Sequence, residues 1–296
     1  MLQKKYSVAD IEKKANEVRI DIIRMLEAAG SGHSAGPLGL ADIMSALYFN
    51  VLKHDPDRPD WVDRDLFVLS NGHCAPVLYT VMAHAGYFGK KELLTLRKFG
   101  SRLQGHPERL RLPGLETTSG PLGSGLSQAA GMALAMKMDK IGHRWVYCMM
   151  SDGEQDEGNT WEAAMLVAKY RLHNLIGIID RNNIQIDGTT EQVMPLEDLR
   201  AKWEAFGWHV LEIDGHSVEA FLDACAMARA VVEKPVVIIA HTIPGKGVDF
   251  MEYDFHWHGT PVGLTDVAGA PPKNEQAKEA LRQLRTLGGK IRSEHE

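Results

Sequence analysis

The amino-acid sequence predicts an α/β protein in which a parallel β-sheet is flanked by helices on both faces. Short, almost continuously apolar runs alternate along the chain with amphipathic helical stretches. Apolar strands of this kind are typical of parallel sheets that are buried on both sides. A chain of 296 residues is long enough for one large α/β domain or two small ones. With 44% hydrophobic and 24% charged residues, the composition is that of a globular protein.

The first segment, residues 8–29, is predicted to form a helix. Its apolar residues recur with a period of 3.6, at Ile11, Ala15, Val18, Ile22 and Met25. Ser7 and Asp10 form a capping pair at its start, and Gly30 ends it. A glycine-rich loop with the sequence SGHSAGPLG follows, and a second amphipathic helix is predicted over residues 42–52.

Five apolar runs further along the chain are the predicted strands, and helical patterns lie between them. The strands are predicted over residues 65–70, 145–150, 175–180, 208–213 and 236–241. The helices are predicted over residues 75–85, 125–139, 159–170, 196–206 and 217–232. Ligands of such sheets bind in the crevice at the carboxyl ends of the strands, so we expect a functional site at that edge.

The last part of the chain has a different composition. The segment APPKNEQAKEALRQLRTLGGKIRSEHE is highly charged and predicts a proline-flanked helix with a frayed end. We therefore expect one α/β domain over residues 1–262 and a charged helical tail over residues 263–296. Such a tail is better suited to a surface or partner contact than to the core.

Charge, hydropathy and cysteine content exclude several classes of protein. The net charge of −6 and the lack of a basic run argue against a nucleic-acid partner. No apolar run is long enough for a membrane span, and the charged N-terminus does not resemble a signal peptide. Three widely separated cysteines, Cys74, Cys148 and Cys225, form neither a disulfide framework nor a zinc site. We expect reduced, buried thiols in a cytoplasmic protein.

Polar turns follow the predicted strands, and they supply the groups that a diphosphate and a magnesium ion need. The GPLGSG turn at residues 120–125 opens a helix, whose N-terminal N–H groups suit a phosphate. Mg²⁺ prefers oxygen ligands, which the Asp152 carboxylate, the Asn182 amide and the Ile184 carbonyl offer. Each turn alone is common in proteins, but their combination and order predict a diphosphate–magnesium site.

Several stretches resemble the N-terminal, diphosphate-binding domain of transketolases. The matching stretches are SGHSAGPLGLADIMSALYF, DLFVLSNGHCAPVLY, GHPE, GPLGSG, SDGEQDEGNTWEAAM, IDRNNIQIDG and WHG. They span roughly residues 8–262 and occur in the order of the family. The histidines within them, His33, His73, His106 and His258, are more specific to the transketolase branch than the SDGE…N fingerprint of thiamine-diphosphate enzymes in general.

The resemblance implies thiamine diphosphate and Mg²⁺, or another divalent cation such as Ca²⁺ or Mn²⁺, as cofactors. By this resemblance the metal ligands are Asp152, Asn182 and the Ile184 carbonyl. The residues implied in cofactor contact are His73, Gly123, Gly153 and His258 at the diphosphate, with Leu122 and Ile184 beside the thiazolium.

The resemblance also implies roles for residues that face the substrate. His33 and His258 would handle the hydroxyl proton of a ketose donor, and His106 would bind the terminal hydroxyl of that donor. Glu157 matches a carboxylate that links two halves of the cofactor site across an interface. Lys246 lies in a loop that is expected to close over the site.

The resemblance further implies a second polypeptide. Residues 260–296 are too few for a second α/β domain, so we expect a C-terminal, pyrimidine-domain subunit, with two copies of each chain in an α2β2 complex. The substrates would be sugar phosphates, with a two-carbon ketol unit passing from a ketose to an aldose.

One departure and two alternatives accompany this interpretation. Ser151 stands where the family usually has a glycine, and serine has less backbone freedom. One alternative is the α subunit of another thiamine-diphosphate enzyme, of the 2-oxo acid dehydrogenase type. The other is a non-catalytic module that binds a nucleotide.

Overall fold

The computed structural model describes residues 6–286 and contains a five-stranded, wholly parallel sheet in the order β1-β2-β3-β7-β6. Its strands are β1 (Leu66–Leu69), β2 (Val146–Ser151), β3 (Leu175–Arg181), β6 (His209–Asp214) and β7 (Val236–His241). All five lie within one residue of the predicted runs, and the predicted fold class is confirmed. A separate two-stranded antiparallel hairpin, β4 (Ile184–Gln185) and β5 (Gly188–Thr189), was not predicted.

Ten α-helices are present in the described part of the chain. They are α1 (Val8–Ala29), α2 (Ala35–Gly39), α3 (Ala41–Ala46), α4 (Ala75–Ala85), α5 (Ser124–Met138), α6 (Gly158–Lys169), α7 (Thr190–Val193), α8 (Leu199–Ala205), α9 (Val218–Ala230) and α10 (Lys273–Thr286). The predicted capping box of Ser7 and Asp10 is present at the start of α1, and Gly30 ends it with a left-handed φ of 63°. Helix α3 continues into one π-helical turn over Leu47–Val51.

The glycine-rich segment after α1 is not the simple loop that its composition predicts, because it contains the short helix α2. All five residues of α2 are buried. A Cβ atom on Gly39 would lie 2.9 Å from the carbonyl oxygen of Ile243, so this helix packs directly against backbone. The tertiary contact, rather than helix propensity, explains why glycines are found in this helix.

The sheet separates two hydrophobic cores. One core contains the inward faces of α1, α3, α4 and α9, and the other contains those of α5, α6 and α8. Neighbouring residues of a strand alternate between the cores: Tyr147 and Met149 face the first, whereas Val146, Cys148 and Met150 face the second. The sheet is therefore covered on both faces, as parallel sheets require.

The C-terminal segment is helical as predicted, but one face of α10 joins the core instead of standing at the surface. Ala280 and Leu284 are fully buried, and Nδ2 of Asn16 in α1 donates a hydrogen bond to the Leu284 carbonyl over 3.1 Å. The apolar residues of α10 recur at helical spacing and form one face. The many charged residues of this segment made that face hard to recognise in the sequence. The predicted fraying of residues 287–296 lies outside the described residues. Within the described chain, no helix is both long and apolar enough to cross a membrane.

Candidate active site

A cavity of about 350 Å³ opens at the carboxyl edge of the sheet, where the sequence predicted a site. Nine residues that were predicted as site residues line it: His33, His73, His106, Leu122, Asp152, Gly153, Asn182, Ile184 and His258. Ser151, Gln185, Ile186 and Asp187 also line it, so the unpredicted β4–β5 hairpin forms one wall.

Three histidine rings form a tight cluster in this cavity. The ring centroids of His33 and His73 are 4.9 Å apart, those of His73 and His258 5.2 Å, and those of His33 and His258 5.5 Å. Burial, together with the charges of neighbouring groups, lowers the pKa of His33 to about 3. Burial also lowers the pKa of His73 and of His258. The rings are therefore neutral near pH 7, and each has an unprotonated nitrogen that can accept a hydrogen bond.

The acidic side of the cavity is built from the ends of β2 and β3. The Asp152 carboxylate accepts hydrogen bonds from the backbone N–H groups of Gly153 (2.8 Å) and Asn183 (2.6 Å). Burial nevertheless raises the pKa of Asp152 to about 6. A buried carboxylate of this kind is suited to binding a cation, which would stabilise its ionised form.

Asp180 orients the Asn182 amide. Its carboxylate accepts hydrogen bonds from Nδ2 of Asn182 (2.8 Å) and from the Thr242 hydroxyl (2.5 Å). The Asn182 side chain therefore keeps its oxygen, Oδ1, away from Asp180, and that oxygen accepts a hydrogen bond from the Ile184 N–H over 3.1 Å. Burial raises the pKa of Asp180 to about 7, with a further contribution from the charge of Asp152.

Glu154 joins the glycine turn to the end of β2. Its buried carboxylate accepts hydrogen bonds from the N–H groups of Gly123 (2.5 Å) and Ser151 (3.1 Å), and from the Ser70 hydroxyl at very short range. The Ser70 oxygen in turn accepts a hydrogen bond from the Gly125 N–H over 3.0 Å. Burial raises the pKa of Glu154 to about 7. One carboxyl group thus fixes the turn that opens α5.

Two glycines of this region are packed so closely that a side chain would not fit without a shift of their neighbours. Gly123 has a left-handed φ of 79°, and a Cβ atom there would lie 1.9 Å from Oδ1 of Asn159. At Gly153, a Cβ atom would lie 3.1 Å from the Gln185 side chain. The position of Ser151 has no such requirement, because it lies in the extended backbone of β2. The predicted difficulty with serine at that position does not arise.

Three of the residues singled out in the sequence do not line the cavity. Gly123 stands behind it as the N-cap of α5. Glu157 is exposed at the N-cap of α6, and its Cβ lies 2.9 Å from the point where a Gly123 Cβ would be. Lys246 is buried in the loop after β7, with 6% of its surface exposed. The interface role of Glu157 and the role of Lys246 stay predictions.

The residues fit a diphosphate cofactor with a divalent cation. Within residues 6–286, Nδ1 of His33 and Nδ1 of His258, both on the cavity lining, are buried without a hydrogen-bond partner; Oδ1 of Asn159, which faces Gly123, and both amide atoms of Asn71, two residues before His73, are also unpartnered. Orphaned polar groups are costly unless a ligand or water satisfies them. No group of three or more His, Cys, Asp or Glu side chains forms a metal site in the described chain. A site of one carboxylate, one amide and one carbonyl is compatible with this finding, since Mg²⁺ takes its other ligands from phosphate and water.

Sequence reasoning missed three residues that shape the site. Glu154 and Asp180 read as parts of a turn and a strand, although an acid in an otherwise buried segment is itself a signal of function. Arg97 belongs to none of the motifs that the sequence displays. Its guanidinium packs on Gly105, and its charge contributes to lowering the pKa of both His33 and His106.

Comparison with known proteins identifies the family. Residues 11–276 match the model of the transketolase, thiamine diphosphate binding domain. One of the subunits of apulose-4-phosphate transketolase from Phocaeicola vulgatus is 40% identical over 97% of this chain and 98% of its own length. The 6-deoxy-6-sulfo-D-fructose transketolase subunit SqwG of a Clostridium species is 43% identical over 82% of this chain and 88% of its own.

The solved structures agree with this assignment. Transketolase from Leishmania mexicana superposes with a TM-score of 0.80 and 32% identity over 96% of this chain. The chain covers 44% of that larger protein. These matches favour the predicted transketolase resemblance over the dehydrogenase and nucleotide-binding alternatives. The chain belongs to the transketolase family and corresponds to the thiamine diphosphate-binding subunit of its two-chain members.

Proposed function

We propose that this subunit transfers a two-carbon ketol unit from a ketose donor to an aldose acceptor, with thiamine diphosphate and a divalent cation held in the carboxyl-edge cavity. The observation that carries the proposal is the cluster of neutral histidine rings, 4.9–5.5 Å apart, facing the Asp152 and Asn182 side of the same cavity. Phosphate binding alone does not need several proton acceptors, whereas ketol transfer moves protons at each step.

The cofactor groups would be held by residues from three strand ends. Asp152, the Asn182 amide oxygen and the Ile184 carbonyl would hold Mg²⁺, or Ca²⁺ or Mn²⁺ in its place. Gly123, Gly153, His73 and His258 would contact the diphosphate, and Leu122 and Ile184 would flank the thiazolium. When bound, thiamine diphosphate supplies the electron sink that carbon–carbon cleavage requires.

The histidines supply proton handling and substrate orientation. Burial lowers the pKa of His33 and of His258 and keeps both rings neutral, so each has an unprotonated nitrogen that would accept a hydrogen bond from the donor's hydroxyl and take its proton during the reaction. His106, which is exposed and lines the cavity, would hydrogen-bond the terminal hydroxyl of the ketose. Lys246 would act in the loop that covers the site, and Glu157 would link this chain to its partner's half of the cofactor site.

The partner is proposed to be a C-terminal, pyrimidine-domain subunit, in a complex with two copies of each chain. The support is that two relatives aligned over most of their length are themselves named as subunits. Their printed names specify apulose 4-phosphate and 6-deoxy-6-sulfo-D-fructose, both sugars with an anionic substituent. We propose a sugar phosphate or a related anionic sugar as the substrate, and a cytoplasmic location. Residues 1–262 would form the diphosphate-binding domain and residues 263–296 the tail.

The test is reconstitution with a candidate partner chain. The complex would be characterised by native mass spectrometry, and ketol transfer would be assayed with a panel of ketose phosphates in the presence of thiamine diphosphate and Mg²⁺. We expect a hetero-oligomer whose activity depends on both cofactors and disappears in an Asp152→Ala variant. The matched control is Glu162→Gln, at an exposed position of α6. A complex that binds no thiamine diphosphate would contradict the proposal.

A further inference from the structure

A series of hydrogen-bonded, buried polar side chains lies outside the cavity and ends at the loop that follows β7. Arg19 of α1, Asp42 of α3 and His216 of the turn after β6 are 0%, 3% and 5% exposed. Nδ1 of His216 is 2.8 Å from Oδ2 of Asp42, and Nε2 of His216 is 2.7 Å from the backbone nitrogen of Ile243. Four segments that are distant in sequence are thus joined by one set of contacts.

The contacts define the tautomer of His216. The backbone N–H of Ile243 is a donor, so Nε2 of His216 must be the acceptor and carries no proton. The proton of the neutral ring is then on Nδ1, which donates it to Asp42. The imidazole is therefore a bridge that transmits the position of a carboxylate on α3 to the backbone at Ile243.

Asp42 is itself held firmly. Its two carboxylate oxygens accept hydrogen bonds from both terminal nitrogens of Arg19, over 3.1 and 2.5 Å, and Nε of Arg19 donates to the Leu38 carbonyl over 3.0 Å. Burial alone would raise the pKa of Asp42, but Arg19 and His216 outweigh it and lower that pKa to about 2. The bidentate geometry fixes the carboxylate plane, and with it the direction in which His216 points.

The segments that these buried side chains connect also carry two histidines of the cavity. The Gly245 N–H donates to the Ala35 carbonyl over 2.9 Å, and the Ser34 hydroxyl donates to the Thr260 carbonyl over 2.8 Å. The loop that ends near His258 is therefore tied at both ends to the segment that begins at His33. The spacing of those two rings, 5.5 Å between centroids, depends on how these two segments are held together.

We propose that Arg19, Asp42 and His216 form a buried relay that positions residues 242–247 and thereby sets the spacing of His33 and His258 across the cavity. None of the three lines the cavity, so they are positioning residues and not catalytic ones. The structural part of the inference stands on the contacts alone, whereas its consequence for turnover rests on the proposed function.

Two variants of His216 separate positioning from simple packing. In His216→Gln, the side-chain oxygen can reach the place of Nε2 and still accept from Ile243. In His216→Asn, the amide can occupy the place of Nδ1 and still donate to Asp42, but the Ile243 N–H loses its acceptor. Asn is smaller than Gln, so a third variant, His216→Met, controls for volume: it is close to Gln in length and size but offers the Ile243 N–H no comparable acceptor, and a role in packing alone would leave it like His216→Gln.

Amide hydrogen exchange of the purified full chain is the first readout. In His216→Asn we expect residues 242–258 to exchange roughly ten-fold faster or more, while β2 and β3 keep the wild-type rates. In His216→Gln we expect that segment to stay within about three-fold of wild type. Wild-type protection in His216→Asn, or equal acceleration in both variants, would overturn the relay.

A second measurement keeps the test decisive if a variant fails to fold. Selective ¹⁵N-histidine labelling of the wild-type chain reports the tautomer, and we expect His216 to carry its proton on Nδ1. A proton on Nε2 would overturn the relay without any substitution. In the reconstituted complex, His216→Asn should lower kcat by about ten-fold and leave the donor KM nearly unchanged, with His216→Gln closer to wild type. If the wild-type complex shows no ketol transfer, the proposed function fails while the exchange and tautomer results still decide the relay.

Discussion

Two cavities of similar volume lie at opposite edges of the central sheet, and they differ in how their polar groups are satisfied. The cavity at the carboxyl edge measures about 350 Å³ and that at the amino edge about 360 Å³. The amino-edge cavity is cationic, with Lys137, Arg144 and Arg229 in its lining. Its cations already donate to carbonyl or hydroxyl oxygens: Lys137 to the Tyr170 carbonyl, Arg144 to the Arg64 carbonyl and Arg229 to the Tyr147 hydroxyl.

The carboxyl-edge cavity has the opposite character. Among the side chains that line it, those of His33 and His258 have a buried Nδ1 with no partner within residues 6–286. Across the described chain, none of the side chains that line the amino-edge cavity has an orphaned buried atom of this kind. Lys137 and Arg229 lie in the last turns of α5 and α9, where they offset the negative end of the helix dipole. Unsatisfied buried polar atoms, rather than volume, therefore mark the carboxyl-edge cavity as the ligand site.

The largest expected effect distinguishes the two edges directly. Replacing Asp152 by Ala removes the carboxylate at the end of β2, and we expect ketol transfer in the reconstituted complex to fall by about 10³-fold or more. Replacing Arg144 by Gln at the amino edge should leave turnover within about two-fold of wild type. Steady-state kinetics at saturating thiamine diphosphate and Mg²⁺ would measure both. A comparable loss in Arg144→Gln would show that the amino-edge cavity also serves the reaction.

A smaller effect is expected behind the glycine turn. Glu154→Gln preserves the shape of the side chain but replaces one acceptor oxygen by an NH₂ group that faces donors. We expect the Kd for thiamine diphosphate in the complex to rise by about ten-fold to a hundred-fold, because a buried donor at Gly123 or Ser151 loses its partner. Quenching of intrinsic fluorescence during titration would give the Kd. Glu162→Gln, an exposed change of the same chemistry, is the control, and equal affinity of the two variants would refute the assignment to Glu154.

The contrast between the edges also explains what could be foreseen from the sequence. The predicted ends of the strands were correct to within one residue because the apolar runs end abruptly at polar turns. The location of the site could be predicted because the carboxyl ends of parallel strands meet at one edge of the sheet. Helix α2 escaped detection because glycine opposes helix formation, and only the contact with Ile243 explains it. The pairing of Asp42 with His216 could not be foreseen, since 174 positions separate them and His216 belongs to none of the matching stretches.

The histidine cluster gives the carboxyl edge a characteristic pH dependence. Burial and the neighbouring charges lower the pKa of His33 to about 3 from 6.5 in the unfolded chain. Between those values the unfolded state binds a proton that the native state does not, so stability falls as the pH falls below 6.5. At pH 5 this costs about 2 kcal/mol for a single group with those values. We expect His33→Asn to flatten the decline in the free energy of unfolding between pH 7.5 and 5.

Urea unfolding of the purified chain at a series of pH values checks this expectation. His209→Asn, at an exposed position of β6, is the matched control and should follow the wild-type curve. An unchanged slope in His33→Asn would mean that His33 does not stay neutral in the native chain.

The smallest effect concerns Arg97, whose charge reaches the cavity from its rim. After burial, the charges of nearby groups including Arg97 lower the pKa of His33, and Arg97 is the second cause for His106. For His258, burial accounts for the lowered pKa. Arg97→Gln should therefore raise the pKa of His33 and of His106 and leave that of His258 unchanged. Arg97 is exposed, so salt screens its charge, and added salt should reduce the difference between variant and wild type. NMR titration of the three histidines would measure these pKa values. A rise in the pKa of His33 and His106 alone would show that the effect of the Arg97 charge is local. An equal rise in all three pKa values would instead indicate a loosened cavity.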